Sequence, residues 1–460
     1  MLARTLAMGA LAALAAAHAA SAQQATVARI THRDTLQNGL RVIVVENHAV
    51  PLATVAVAVR TGAMSQPPAD QGVPHLFEHM LFKSYRGPDD EDFGQKASSI
   101  DGTFNGETTE EVVDYYVMLP SAKATDAIDL MAHLVRDPLF ENRDLQKERF
   151  VVFGELERDV SDPRTGLNLA VSQRLWGAKW NRKNVLGQTL PLMGVNVKHL
   201  QQIYDAYYIP NNAALIVTGD VSPTEVFAAA RHSFGGWKRR ADPYAAHPVP
   251  PMPPLDSNRA VVVTGNVKDV TVEIAWQGPS VGADPQDTYA ADVVSDLVDD
   301  ENSAFHKHLV DSGLFTEVGL DYETLNHVGP ITLYATTTQA HLAAALTALQ
   351  FELMRMANAD YYDTTALAIA KQRRIVHSAF QLEEGATLAT GLAYWWAVTG
   401  MNYYQSYTAH LQQQTPADLS RYVSRFIAGK PFVIGVLVSP SAAQGVSGML
   451  SEYLEMAEDK

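Results

Sequence analysis

The chain has 460 residues, 47% hydrophobic and 19% charged, with no cysteine and a formal net charge of −16. The absence of cysteine excludes a disulfide framework, a thiolate metal site and a cysteine nucleophile. So acidic a chain, with no basic stripe, excludes a nucleic-acid binder. At this length about two to four domains of ordinary size are expected, with room for a substantial core.

Residues 1–22 read as a signal peptide. Arg4 supplies a positive start, residues 5–17 are almost wholly apolar, and Ala20-Ser21-Ala22 is a small-residue cleavage site before Gln23. The alternative is a membrane anchor, but the run is short for a span. No later stretch is long and apolar enough to cross a bilayer. The expectation is a cleaved leader and a bacterial protein that is periplasmic or secreted, with a mature charge of −17 and no stable membrane insertion.

After the leader, paired β-rich runs at 41–46 and 53–60 open the first half, and 259–265 with 269–277 open the second. Residues 199–230 read helix, turn, apolar strand, turn, helix, and 418–450 repeat that order. Between the halves, residues 242–255 carry six prolines, a stiff segment unsuited to a helix or central strand. The expected organisation is an N-terminal domain at 23–241, a Pro-rich linker at 242–257 and a homologous C-terminal domain at 258–460. Each is expected to be α+β, a mostly antiparallel sheet with helices packed on one face.

Residues 75–79 are His-Leu-Phe-Glu-His. On a helix, His75 and His79 project from one face and can take two corners of a zinc tetrahedron. Glu78 lies on the same side, placed to act on a water as general base. This is the inverted zincin order, H-x-x-E-H. Val73, Leu76, Phe77, Met80, Leu81 and Phe82 make the segment strongly apolar, so these polar groups need partners there. A third ligand is sought in 143–162, one amphipathic helix. Glu155 stands 76 residues after His79, and Glu148 lies seven residues earlier on the same face. One of these carboxylates can bind metal while the other accepts a ring N–H from a ligand histidine.

With these residues in place, the chain resembles the pitrilysin-type metallopeptidases, the group that includes insulin-degrading enzyme and mitochondrial processing peptidase. His75, Glu78, His79, Glu148 and Glu155 match the family pattern position by position. So do the opening segment from Gly39, the segment DGTFNGETTEEVVDYYVMLP at 101–120 and the segment YYIPNNAALIVTGDVS at 207–222. The match is close over the first half and weak over the second. The resemblance implies one Zn2+ per chain held by His75, His79 and Glu155, with Glu78 as catalytic base and Glu148 supporting a ligand histidine. It also implies that Asn105 contacts the backbone of a peptide substrate laid along an edge strand, where Gly102 and Gly106 would allow close approach.

In such enzymes the second half supplies an arginine and a tyrosine. Aligned on Gly313-Leu314, this chain has Leu309 and Thr316 at those places, with Tyr322 displaced and no arginine between Arg259 and Arg355. His306 and His308 read as surface residues. The resemblance therefore implies that this chain is the zinc-bearing subunit of a heterodimeric endopeptidase, with a homologous metal-free partner donating the Arg/Tyr pair. The alternative is that Tyr322 serves in place of the missing tyrosine. A structural relative, a zinc-binding protein and a nonpeptide hydrolase are the rival classes.

Overall fold

The structure, a computed structural model, describes residues 30–177, 181–380 and 385–458. The signal-peptide expectation lies outside the described residues. Strands β1 (Thr31–Thr35), β2 (Arg41–Glu46), β3 (Leu52–Val59), β4 (Thr103–Thr108), β5 (Val113–Pro120) and β6 (Ala213–Gly219) form one sheet in the order β1-β2-β6-β3-β5-β4. Strands β7 (Arg259–Thr264), β8 (Val270–Gln277), β9 (Glu317–Tyr322), β10 (Pro330–Thr337) and β11 (Val433–Val438) form a second in the order β7-β11-β8-β10-β9. The second order repeats β2-β6-β3-β5-β4 strand for strand. In both sheets only the pair at one end of that order, β2–β6 or β7–β11, is parallel. The fold is α+β with two sheets.

The strands explain how the layers meet. In β3 every residue from Ala53 to Val59 is buried, as expected when both faces of a sheet are covered. On one face Val55, Val57 and Val59 join Ile128, Met131 and Val226 from helices Ala124–Arg136 and Pro223–Phe234. On the other, Ile43, Ala56, Ala58 and Ile216 meet Leu388, Leu392 and Trp396 of helix Gly385–Val398, which comes from the second half. The exchange is mutual. Helix Pro163–Trp176 leaves the first half and lays Leu167, Val171 and Leu175 against Ala275, Val433 and Leu437 of the second sheet. It sits so close that a Cβ on Gly435 would lie 2.4 Å from Val171 Cγ2. Each half thus has its own helices on one sheet face, as the sequence suggests, and borrows one for the other.

The proline-rich segment differs from the expectation in one respect. Pro243–Ala246 is a short helical turn, with Asp242 Oδ1 accepting from the Tyr244 amide. Proline is tolerated at the first helical position because its missing N–H has no intrahelical partner there. The segment is also tied to the body. Tyr244 Oη donates to the Arg60 carbonyl at 2.8 Å, and Leu255 joins the core around Leu167 and Val433.

Candidate functional site

Helix Val73–Ser84 buries Val73, Leu76, Phe77, Met80 and Leu81, which turns the stripe carrying His75, Glu78 and His79 toward helix Asn142–Ser161. His75 Nε2 lies 3.6 Å from Glu155 Oε2, and His79 Nε2 lies 3.6 Å from the same oxygen. Those separations are too long for good hydrogen bonds. They match the edge of a tetrahedron around an ion bound at about 2.0–2.2 Å, which is about 3.3–3.6 Å. One ligand atom from each of the three residues falls within 4.8 Å of the others, the one such grouping found among the described residues.

The donor set therefore fits zinc, and the surroundings prepare it. Burial, helped by the neighbouring His79, pushes the His75 imidazole down to about 4, which keeps it neutral and able to ligate. Burial also acts to lower the His79 pKa. There the hydrogen bond to Glu148 and the charges of Glu78, Glu155 and Glu148 prevail, and the net shift is upward. His79 Nδ1 faces Glu148 Oε2 at 3.4 Å, while Lys83 Nζ lies 3.4 Å from the other oxygen. Glu148 thus accepts from the ring nitrogen that points away from the cluster, an arrangement that fixes the orientation of a metal-ligating histidine.

Glu78 is 7% exposed, and burial raises its carboxyl pKa against the opposing effects of His79 and a hydrogen bond from Thr108. Thr108 Oγ1 donates to Glu78 Oε2 at 3.0 Å. Sequence reasoning missed Thr108. The period of two along β4 was the available signal, since it puts Gly106 and Thr108 on one side and Asn105 on the other. At Gly106 a Cβ would lie 2.9 Å from Glu78 Oε1, 3.0 Å from Phe82 Cε2 and 3.2 Å from the Asp114 carbonyl oxygen. At Gly102 it would meet Val117 Cγ1 at 2.7 Å. At both positions the surroundings come too close for a side chain, backbone included: the Ala97 carbonyl oxygen would lie 3.0 Å from a Cβ on Gly102.

Strand β4 is the last in its sheet, paired only with β5. Every second amide of such a strand faces away from its partner. Asn105 is exposed there and lines a cleft of about 790 Å³ together with His75, Glu78, His79, Glu148 and Glu155.

The second-half candidates lie elsewhere. Leu309 is wholly buried, and Thr316 Oγ1 donates to the Thr336 carbonyl. Tyr322 is 6% exposed within the second core, and its hydroxyl donates to the Pro279 carbonyl at 3.1 Å. None of the three lines the cleft. His308 is exposed, as expected, whereas His306 is half-buried. His308 Nδ1 is 2.8 Å from the buried Glu352, and His306 Nδ1 is 3.5 Å from Asp311.

The sequence profile described as insulinase (peptidase family M16) matches residues 41–189, and that described as the peptidase M16 inactive domain matches 194–373. The chain belongs to the M16 peptidase family. Among its M16 relatives, the uncharacterized zinc protease YmxG of Bacillus subtilis is 27% identical over 41% of this chain and 46% of its own length. The beta subunit of the mitochondrial-processing peptidase of Rattus norvegicus is 24% identical over 70% of this chain and 67% of its own. The chain spans about half the length of the first curated relatives it matches. A protease from Helicobacter pylori shares the fold with a TM-score of 0.78 at 20% identity, covering 88% of this chain and 99% of that one. The periplasmic protease PqqL from Escherichia coli gives 0.75 at 17% identity, covering 94% of this chain and 50% of PqqL.

Proposed function

We propose that this M16 protein is a zinc-dependent endopeptidase for peptides or unfolded segments, and the catalytic subunit of a heterodimer. The observation that carries the reading is the convergence of His75 Nε2, His79 Nε2 and Glu155 Oε2 beside Glu78, under the open edge of β4. His75, His79 and Glu155 would hold the zinc, whose chemistry is Lewis acidity toward the scissile carbonyl and the attacking water. The peptide lies along β4 by backbone hydrogen bonds, with Asn105 contacting its main chain. Glu78 takes a proton from the attacking water and delivers it to the leaving amine. Its raised pKa suits a group that must both accept and return a proton. Glu148 holds the His79 ring in register.

The partner reading rests on what the second half brings to the cleft. Leu309 and Thr316 carry no charge, and the Tyr322 hydroxyl is already engaged. A homologous metal-free subunit would supply the Arg/Tyr pair that stabilises the charged transition state. PqqL, twice the span of this chain, is compatible with a unit that works alongside a second one. PqqL is also described as periplasmic, which supports the same location here.

Glu78→Gln is expected to keep zinc and lose peptide cleavage, on the order of 10²–10⁴-fold. Zinc content and turnover of a peptide library would be measured with the chain alone and with its candidate partner. Normal turnover by the variant overturns the base assignment. An active monomer after purification from the native host overturns the partner requirement.

A further inference from the structure

The turn between β4 and β5 joins the two halves beside the metal site. Glu111 in that turn is 8% exposed, and its carboxylate accepts from one loop of the second half, the connection between β9 and β10. Oε2 accepts from the Asn326 amide at 2.9 Å. Oε1 accepts from the His327 amide at 2.9 Å and faces His327 Nδ1 at 2.7 Å. Hydrogen bonds to an ionised acceptor are of the strong kind, and three donors on adjacent residues leave this carboxylate little freedom.

The same turn is held on other sides. Its Thr109 and Glu110 carbonyls accept from the Ala63 and Met64 amides. Glu110 pairs with the buried Lys183, and Tyr394 Oη ties the β9–β10 loop down through the Thr324 carbonyl at 2.7 Å. One residue before the turn stands Thr108, whose hydroxyl reaches Glu78.

We infer that Glu111 is a positioning residue through which the second half sets the Glu78 carboxylate, by way of the turn and Thr108. The inference rests on the role of Glu78 proposed above. It gives the metal-free half a task at the reacting centre: holding the base still, where small displacements are costly in rate.

The test compares Glu111→Gln, Thr108→Val and the double variant. Glu111→Gln keeps the side-chain shape but loses the charge and one acceptor. Each single change is expected to lower kcat about 10-fold, with zinc content unchanged. The double variant is expected to fall about 10-fold as well, because residues acting through one another are not additive. A merely structural Glu111 predicts a product of about 100-fold, and that result, or a wild-type kcat for Glu111→Gln, overturns the inference. If Glu111→Gln does not fold, His327→Ala removes one of the three bonds and is read against Thr108→Val by the same criterion. Amide hydrogen exchange over residues 103–109 supplies a readout independent of turnover. If zinc-loaded wild-type protein cleaves no peptide even with its candidate partner, the peptidase reading fails and exchange alone decides. Faster exchange at 103–109 in Glu111→Gln then supports the coupling, and unchanged exchange refutes it.

Discussion

The two halves share a strand order yet fill the space between their paired helices differently. In the first, helices Val73–Ser84 and Asn142–Ser161 bring two imidazoles and a carboxylate together. In the second, helices Pro285–Val298 and Thr364–Phe380 occupy the corresponding places in the element order. They bring Arg374 onto Asp296, with nitrogen–oxygen distances of 2.8 and 2.6 Å, and close to Asp292. There the positive charge is part of the chain. The edge strands differ in the same sense. On β9 the Leu320 amide is taken by Asp299 Oδ1 at 3.1 Å, whereas β4 lines an open cleft. One frame thus supports a half whose Arg374 is paired with its own aspartates and a half whose two imidazoles and carboxylate form a donor set beside an open edge strand. Fold alone does not separate the two; the side chains at a few positions do.

The largest expected effect comes from making the first half resemble the second. His79→Ala should abolish stoichiometric zinc and reduce peptide cleavage to background, with far-UV circular dichroism unchanged. Zinc retained at full stoichiometry would show that the pair of helices is not the metal site. Next comes Arg374→Met, which strips the second half of its built-in cation. It leaves Asp292 and Asp296 facing each other, and stability should fall by about 2–4 kcal/mol in denaturant unfolding. Zinc content should stay at the wild-type value.

The smallest effect concerns Glu273 on β8, under the exchanged helix Pro163–Trp176. Burial pushes its pKa up to about 7, with only Asn168 opposing. A carboxyl raised in the folded state adds stability below its unfolded value, and that contribution is lost as pH rises through about 7. Glu273→Gln should therefore flatten the fall in melting temperature between about pH 5 and 8, by about 2–4 °C. An unchanged pH profile would remove Glu273 from the account.

The candidate cluster was legible because its signals are local. His75, Glu78 and His79 declare themselves by helical spacing, and Glu148 with Glu155 by a seven-residue interval. The repeat of element types was legible too, but not the strand order within each sheet. What escaped was long-range. Nothing around residues 163–176 says that Leu167 and Val171 pack on β11, since an apolar helical stripe does not name its partner. Glu111 carries no local signal, and only the fold brings residues 326 and 327 to it. The mainly apolar runs of β3, β6 and β11 are the sequence-level hint of exchange, because a strand with a single covered face would alternate.

That exchange also bears on how the protein comes into being. When β6 is complete, Ile43, Ala56, Ala58 and Ile216 still present a bare apolar face, because Leu388, Leu392 and Trp396 have yet to be made. The first sheet cannot close during its own synthesis. Until residues 388–396 are made, the chain holds no cover for that face, and exposed apolar surface of this kind favours aggregation. Cleavage within 242–257 before folding would leave two sheets, each lacking its lid.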